Sequence, residues 1–412
     1  MSQGRRAQVL PRLVAALAAA GLAGTGLAAC GAPAGGGSTK EVKAADVPQK
    51  PAKAVGLNII DVAGDLQLTK GMIEDFVKAH PDVASGANYS KAPAPELAGK
   101  IKAQQNAGQA QYNLVLTGTD GLSAGIKQGL WVKVLPDFES RFPNLMTNYL
   151  EPAAKMQDLA QGHCIAVTYY PSGPLLEYNP AKVPTPPATP QQLLDWAKAH
   201  PGKFQYARPA NSGPGRTFLM GLPYILGDSD PKDPVNGWNK TWTFLKELHK
   251  YVDYYPSGTT ETMKNLGNGS VDMIASTTGW YINPRVLGTV PAAMKVTHYE
   301  GMHWVTDAHY ACIPKGVSAD VLAADLQLIG FMLQPQEQAQ AYDGGYFYPG
   351  PAVKGVTLDM APADSQKAIQ QFGVPEFDQW IAQFPKETSL PAEQQVAAFD
   401  KWDREVGSGK TK

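Results

Sequence analysis

The chain has 412 residues, and 36 basic against 37 acidic side chains leave a formal charge of −1. That balance excludes the strongly basic surface of a nucleic-acid binder. The length exceeds what one hydrophobic core comfortably fills, so two domains are expected.

Arg5, Arg6 and Arg12 precede an apolar run, Leu13 to Leu27, built mostly of Ala, Leu, Val and Gly. The run is short and Gly-interrupted for a hydrocarbon core that needs about 20 apolar residues. It reads as a secretory signal peptide over residues 1–29. Its end, "LAAC" followed by Gly31, resembles the bacterial lipobox. That resemblance implies cleavage before Cys30 and a lipidated Cys30 as the mature N-terminus. Two or three acyl chains hold a protein to a membrane durably, where one alone is marginal. Losing three Arg takes the charge from −1 to −4. Residues 30–52, rich in Gly, Ala, Ser and Lys, are expected to be a flexible tether. The body then begins at Lys53, outside the cytoplasmic membrane, and no later run is long enough to span one.

Val55 to Val62 reads as a buried strand, Gly64 and Asp65 as a turn, and Leu68 to His80 as a helix stopped by Pro81. A second helix is expected over 96–109. Tyr112 to Leu116 repeats the strand, Thr117 to Asp120 the loop, and a helix starts near Leu122. Residues 163–180 are an apolar strand pair broken at Pro171. Thr189 caps a helix that opens on Pro190 and runs to His200. Phe204 to Ala207 is a strand, followed by a Gly/Pro loop and a helix from about Arg216. Val271 to Ala275 and Tyr310 to Ile313 are strands, and Val317 to Leu333 is a helix. Alternating strands and helices predict an α/β layer with a mostly parallel sheet. The same unit occurs on both sides of residue 170, which fits two α/β lobes joined by extended crossovers.

The chain resembles the extracellular solute-binding proteins of bacterial ABC importers, in the branch of polyamine-, iron- and thiamine-type binders. The segments that carry the resemblance are "LAAC", "VGLNIIDVAGD…IEDFVKAHPD", "YNLVLTGTDGLSAGIKQGL", "PATPQQLLDWAKAHPGKFQYARP" and "HYACIPKGV". It implies a two-lobed, periplasmic-binding-protein-like α/β fold of type II with a hinge of crossover strands. Lobe 1 would begin at 53–168 and lobe 2 would cover 169–297. The second crossover, the return to lobe 1 and the C-terminal helices would take up 298–412. It also implies that Cys164 and Cys312, one on each crossover, form a disulfide; two inert buried thiols are the alternative. The partners implied are a small-molecule solute, a permease and its ATPase on separate chains, with this chain a lipid-anchored monomer on the outer membrane face. No cofactor and no nucleic acid are expected.

In open α/β sheets, ligands bind beyond the carboxyl ends of strands. That rule selects Asp61, Gly64 and Asp65 after the first strand, and Thr117, Thr119 and Asp120 after the third. It selects "RPANSGPGRT", with Arg208, Ser212, Gly213 and Arg216, in the second lobe. It also selects Ser276, Thr277, Thr278 and Trp280. Tyr170 and Trp304 complete the candidates. Carboxylates among aromatic faces favour an organic cation such as a polyamine or thiamine-like molecule, with a sugar next; Arg208 and Arg216 would suit an anion instead. His298, Glu300, Asp307 and His309 offer metal-ligand chemistry, but their spacing matches no compact zinc pattern, and no metal is expected. No hydrolase, metalloprotease or phosphate-loop motif is present, so no enzyme is expected. The alternative is a secreted envelope hydrolase or metal-binding protein using residues 298–309.

Overall fold

The computed structural model describes residues 42–411. The signal segment 1–29, Cys30 and the tether up to residue 41 lie outside the described residues. Among the described residues no helix is long and apolar enough to cross a membrane. From Val42 to Ala52 the chain is packed rather than free. Arg141 donates to Pro48 O at 2.6 Å and to Gln49 O at 2.9 Å, Gln327 donates to Gln49 O at 2.6 Å, and Ala52 N donates to Asp320. Fixed structure therefore begins before Lys53, because backbone carbonyls of this polar stretch find donors on the body.

Among the described residues ten strands form two sheets: β1 (Val55–Asp61), β2 (Ala84–Lys91), β3 (Leu114–Thr117), β4 (Cys164–Gly173), β5 (Leu175–Tyr178), β6 (Phe204–Gln205), β7 (Met273–Ser276), β8 (Lys295–His298), β9 (Trp304–Cys312) and β10 (Lys386–Thr388). In the first lobe β2, β1 and β3 are parallel neighbours, and β9 runs antiparallel to β3. β4 pairs antiparallel with nearly the whole of β9, and β10 pairs with the other end of β9. The second sheet has the order β6-β7-β5-β8. Only β6 and β7 are parallel in it, so the mostly parallel expectation holds for the β2-β1-β3 group and not for the second lobe. Strands that cross between lobes must return, and their return direction makes the central pairs antiparallel.

β4 and β9 are the two crossovers, and every residue of both is buried. Continuous apolar character is what a strand covered on both faces requires. Pro171 does not break β4 as expected. It sits at a register shift between Tyr170 and Gly173, with Ser172 at φ 66°, the kind of bulge where a strand tolerates proline. The break falls at Pro174, after which β5 joins the other sheet.

One core surrounds the first sheet and takes in Leu322, Leu326 and Ile329 of the Ala319–Met332 helix. A second core surrounds the other sheet and takes in Phe377, Phe399 and Trp402. The last helices, Glu376–Gln383 and Ala392–Glu405, thus pack on the second lobe. Trp402 Nε1 donates to Tyr206 Oη at 3.1 Å there. Within residues 298–412, Ala308 to Val353 contribute to the first core and Phe372 to Val406 to the second.

Cys164 and Cys312 are bonded, lie opposite each other in the β4–β9 register, and have Cα atoms 4.5 Å apart, the spacing of a non-hydrogen-bonded antiparallel pair. Their neighbour in the sheet is Val115 of β3. The bridge therefore fastens the first-lobe root of the crossovers. It closes a loop of 148 residues; chain entropy sets a ceiling of about 5 kcal/mol for such a loop, and bridges typically deliver about 2–4 kcal/mol of stabilisation. Thiol titration of unfolded, unreduced protein is expected to find neither cysteine free. The Cys164→Ala/Cys312→Ala double variant should lose about that much stability in urea unfolding.

Candidate ligand cleft

Side chains from both lobes and both crossovers meet around a cavity of about 90 Å³. On the first-lobe side, Asp61 ends β1 and is buried. Its Oδ1 accepts the N–H groups of Ala63, Gly64 and Asp65 at 3.0 Å each, and its Oδ2 accepts Leu66 N at 3.2 Å. The carboxylate thus satisfies donors that the start of the Leu66–Ala79 helix would otherwise leave unpaired. Gly64 has φ 79°, and a Cβ there would lie 2.5 Å from Tyr346 Oη, so the turn needs glycine both for conformation and for room.

Asp65 and His309 are buried together, with Asp65 Oδ1 and His309 Nδ1 3.1 Å apart. The contact is an ion-pair distance at an angle short of a good hydrogen bond. Burial alone would lower the imidazole's pKa, but the adjoining carboxylates of Asp65, Asp307 and Asp61 outweigh it and the pKa is raised. Burial likewise raises that of Asp65. The pair holds a proton more tightly than either group does in water. His309 stacks on Phe347 with ring centres 4.1 Å apart, and Phe347 in turn lies against Tyr170.

The second lobe contributes the start of the Gly213–Leu226 helix. Ser212 caps it, with Oγ accepting from Gly215 N at 3.0 Å and lying 2.8 Å from Thr259 Oγ1. Arg216, one turn in, is 4% exposed. Its guanidinium donates to Asp307 of β9 and lies 3.3 Å from Asp120 of the first lobe. Burial works against its charge, but the two carboxylates more than restore it. One cation therefore ties second lobe, crossover and first lobe together. Beside it Thr277 caps the Thr278–Val286 helix by accepting Trp280 N at 3.2 Å. Trp280 meets Tyr346 edge to face, 5.5 Å between ring centres.

Of the residues singled out in the sequence, Asp120, Tyr170, Ser212, Gly213, Arg216 and Trp280 line the cavity. Asp61, Gly64, Asp65, Thr119 and Thr277 stand behind it as supports; Thr119 Oγ1, for instance, is 3.4 Å from Asp307 Oδ1. Thr117, Ser276 and Thr278 are buried and spend their hydroxyls on Gly118 O, Glu177 and Tyr348 O. Two positions lie away from the cavity. Arg208 turns away to Asp403, with Nε 2.9 Å from Oδ1, because the Ala392–Glu405 helix offers a carboxylate on that side. Trp304 is fully buried with Nε1 on Trp380 O at 3.0 Å; it belongs to the second lobe's core.

The lining also includes Thr259 and Phe347, which sequence reasoning did not single out. Asp307 and His309 line it as well, sharing a strand face by their spacing of two. They do not act with His298, Glu300 and His303 as one cluster. His298 packs on Trp380 and Phe384, Glu300 is exposed, and His303 pairs with Glu387. Among the described residues no group of three or more such side chains could hold a metal ion.

A family described as bacterial extracellular solute-binding protein matches residues 71–371. Protein YnjB of Escherichia coli (strain K12) is 29% identical over 199 residues, 45% of this chain and 47% of that protein. The chain thus matches about half the length of this relative. A putative spermidine/putrescine ABC transporter protein from Listeria monocytogenes superposes with a TM-score of 0.58 at 16% identity, covering 86% of this chain and 99% of that one. The periplasmic binding protein AfuA from Actinobacillus pleuropneumoniae, with fructose-6-phosphate bound, gives 0.60 at 17%, covering 86% and 100%. These likenesses establish the type II periplasmic-binding-protein fold.

Two outcomes test this geometry. Asp307→Ala leaves a buried guanidinium short of its nearest counter-ion and should cost about 3–5 kcal/mol in urea unfolding, with Asp120→Ala costing less. His309 has a folded pKa above its ordinary 6.5, so its contribution is complete below pH 6.5 and is lost as pH rises through the folded value. The stability difference between wild type and His309→Gln should therefore shrink with rising pH above 6.5; a difference that grows would contradict the assignment.

Proposed function

Because the chain belongs to the bacterial extracellular solute-binding proteins, the solute-capturing components of ABC importers, we propose that it traps a small organic cation between its lobes and passes it to a membrane permease. The observation that carries the cation is the make-up of the cleft. Four carboxylates, Asp61, Asp65, Asp120 and Asp307, stand in or behind it against two cationic groups, Arg216 and His309. Trp280, Tyr346, Phe347 and Tyr170 supply aromatic faces on the same cavity. Cation–π attraction adds about 0.5–2 kcal/mol per good contact. The relative from Listeria monocytogenes, described as a putative spermidine/putrescine transporter protein, agrees with this class.

The chain's own work is differential affinity and no reaction. Closure is driven only by as much as the solute binds the closed form better than the open one. Here Arg216 of one lobe meets Asp120 of the other, and an apposed cation completes the charge balance that this single guanidinium leaves unfinished. Anchoring by lipid at Cys30 would hold the monomer on the outer face of the membrane, beside a permease whose ATPase is a separate chain.

Thermal melting against putrescine, spermidine, thiamine, glucose and fructose-6-phosphate tests the ligand class. An organic cation at 100 times its Kd should add about 2.7 kcal/mol. Trp280→Ala should weaken it by about 2- to 30-fold. Stabilisation by fructose-6-phosphate alone would replace the cation with an anion. For the anchor, Cys30→Ala is expected to appear in the medium; retention on the membrane would refute the lipid.

A further inference from the structure

A larger cavity, about 760 Å³, opens on the first lobe, away from the cleft. Its volume lies in the range of small-molecule sites. One wall is a triad of rings: Phe76 and His80 from the end of the Leu66–Ala79 helix, and Phe331 from the Ala319–Met332 helix, with centres 4.9–5.7 Å apart. Arg141 and Lys50 are also in the lining.

Two observations mark this cavity as more than a packing gap. First, no aspartate or glutamate lines it. Lys50 is paired with Asp82 outside the lining. Arg141 spends its Nη atoms on two backbone carbonyls, which leave its charge uncompensated, and among the described residues no carboxylate comes within ion-pair distance of it.

Second, the floor contains Gly330, inside a 14-residue helix. Glycine there costs about 1 kcal/mol relative to alanine. No close approach demands it: a Cβ would meet only Arg141 O at 3.7 Å and Phe142 Cε1 at 4.0 Å. Its backbone is ordinary helix with no positive φ. What the missing side chain provides is open volume between the rings and the arginine.

We propose that this cavity is a second small-molecule site that takes an amphipathic organic anion, its apolar body against the Phe76–His80–Phe331 wall and its acidic head at Arg141. The site is separate from the cleft, since none of its lining residues is shared with the cleft.

Calorimetric titration with 4-phenylbutyrate, and with 4-phenylbutanol as its uncharged counterpart, tests the assignment. The carboxylate should bind once per chain with a Kd of about 1 mM or tighter, and the alcohol at least about tenfold more weakly. Arg141→Gln keeps an amide donor for the 48–49 carbonyls and removes the charge; it should cost the carboxylate about tenfold. Gly330→Leu should fill the floor and abolish binding, with the melting temperature kept or raised and the cleft's response to putrescine, spermidine and thiamine unchanged. Should Gly330→Leu unfold the chain, Gly330→Ala, whose single methyl meets only ordinary contacts, should still weaken the carboxylate. No heat from the carboxylate with wild type, equal affinity for alcohol and carboxylate, or full affinity in Arg141→Gln would each overturn the proposal.

Discussion

Two strands that cross between lobes side by side, buried on every face, set the terms for the rest of this molecule. Buried backbone has to pair, and β4 and β9 do so with one another along most of their length. Their antiparallel ladder dictates which side chains meet. It brings Tyr170 opposite Asp307 and seats Cys164 against Cys312. Because strand side chains alternate, Asp307 and His309 then present to the same side. The cleft owes its centre to that alternation, and the lobes contribute its rims.

Around that centre the charges are arranged by necessity. A fully desolvated guanidinium is tolerable only with counter-ions at hand, and Arg216 finds one on the ladder and one on the opposite lobe. Asp65, equally dry, finds His309. Asp61 answers a different demand, the unpaired N–H groups at a helix start. Four aspartates within one small region thus have three distinct reasons to be there, and they differ in how freely each could meet a solute.

Much of this was legible in the residues. The β–loop–α rhythm of 55–80 and 112–127 survives with shifts of about two residues, since apolar periodicity marks the buried face wherever a helix or strand is long enough. Thr189 as a cap and Pro190 as the opening residue were readable from local chemistry alone. Candidate positions after strand ends came from topology, which is why Asp120, Ser212 and Arg216 fell together. What escaped was set by distant partners. Arg208 looks like a cleft residue until Asp403, nearly 200 positions later, claims it. Trp304 sits beside cleft residues in the chain, yet its side of the strand faces the second core. Phe347 lies in a stretch with neither strand nor helix periodicity, so no pattern announces it.

The position of the Cys164–Cys312 bond has a mechanical consequence. The staple sits at one extremity of the ladder, while its irregularities lie further along, between Ala166 and Thr168 and between Tyr170 and Gly173. Any swivel must therefore act beyond the staple, off-centre and nearer the second lobe. The pivot then lies almost at the level of Tyr170 and Asp307 themselves. In any opening, residues on that fulcrum would travel least, and Ser212 and Trp280, carried by the second lobe, would be the part of the lining that moves relative to them. A solute would find half of its berth stationary and the other half arriving.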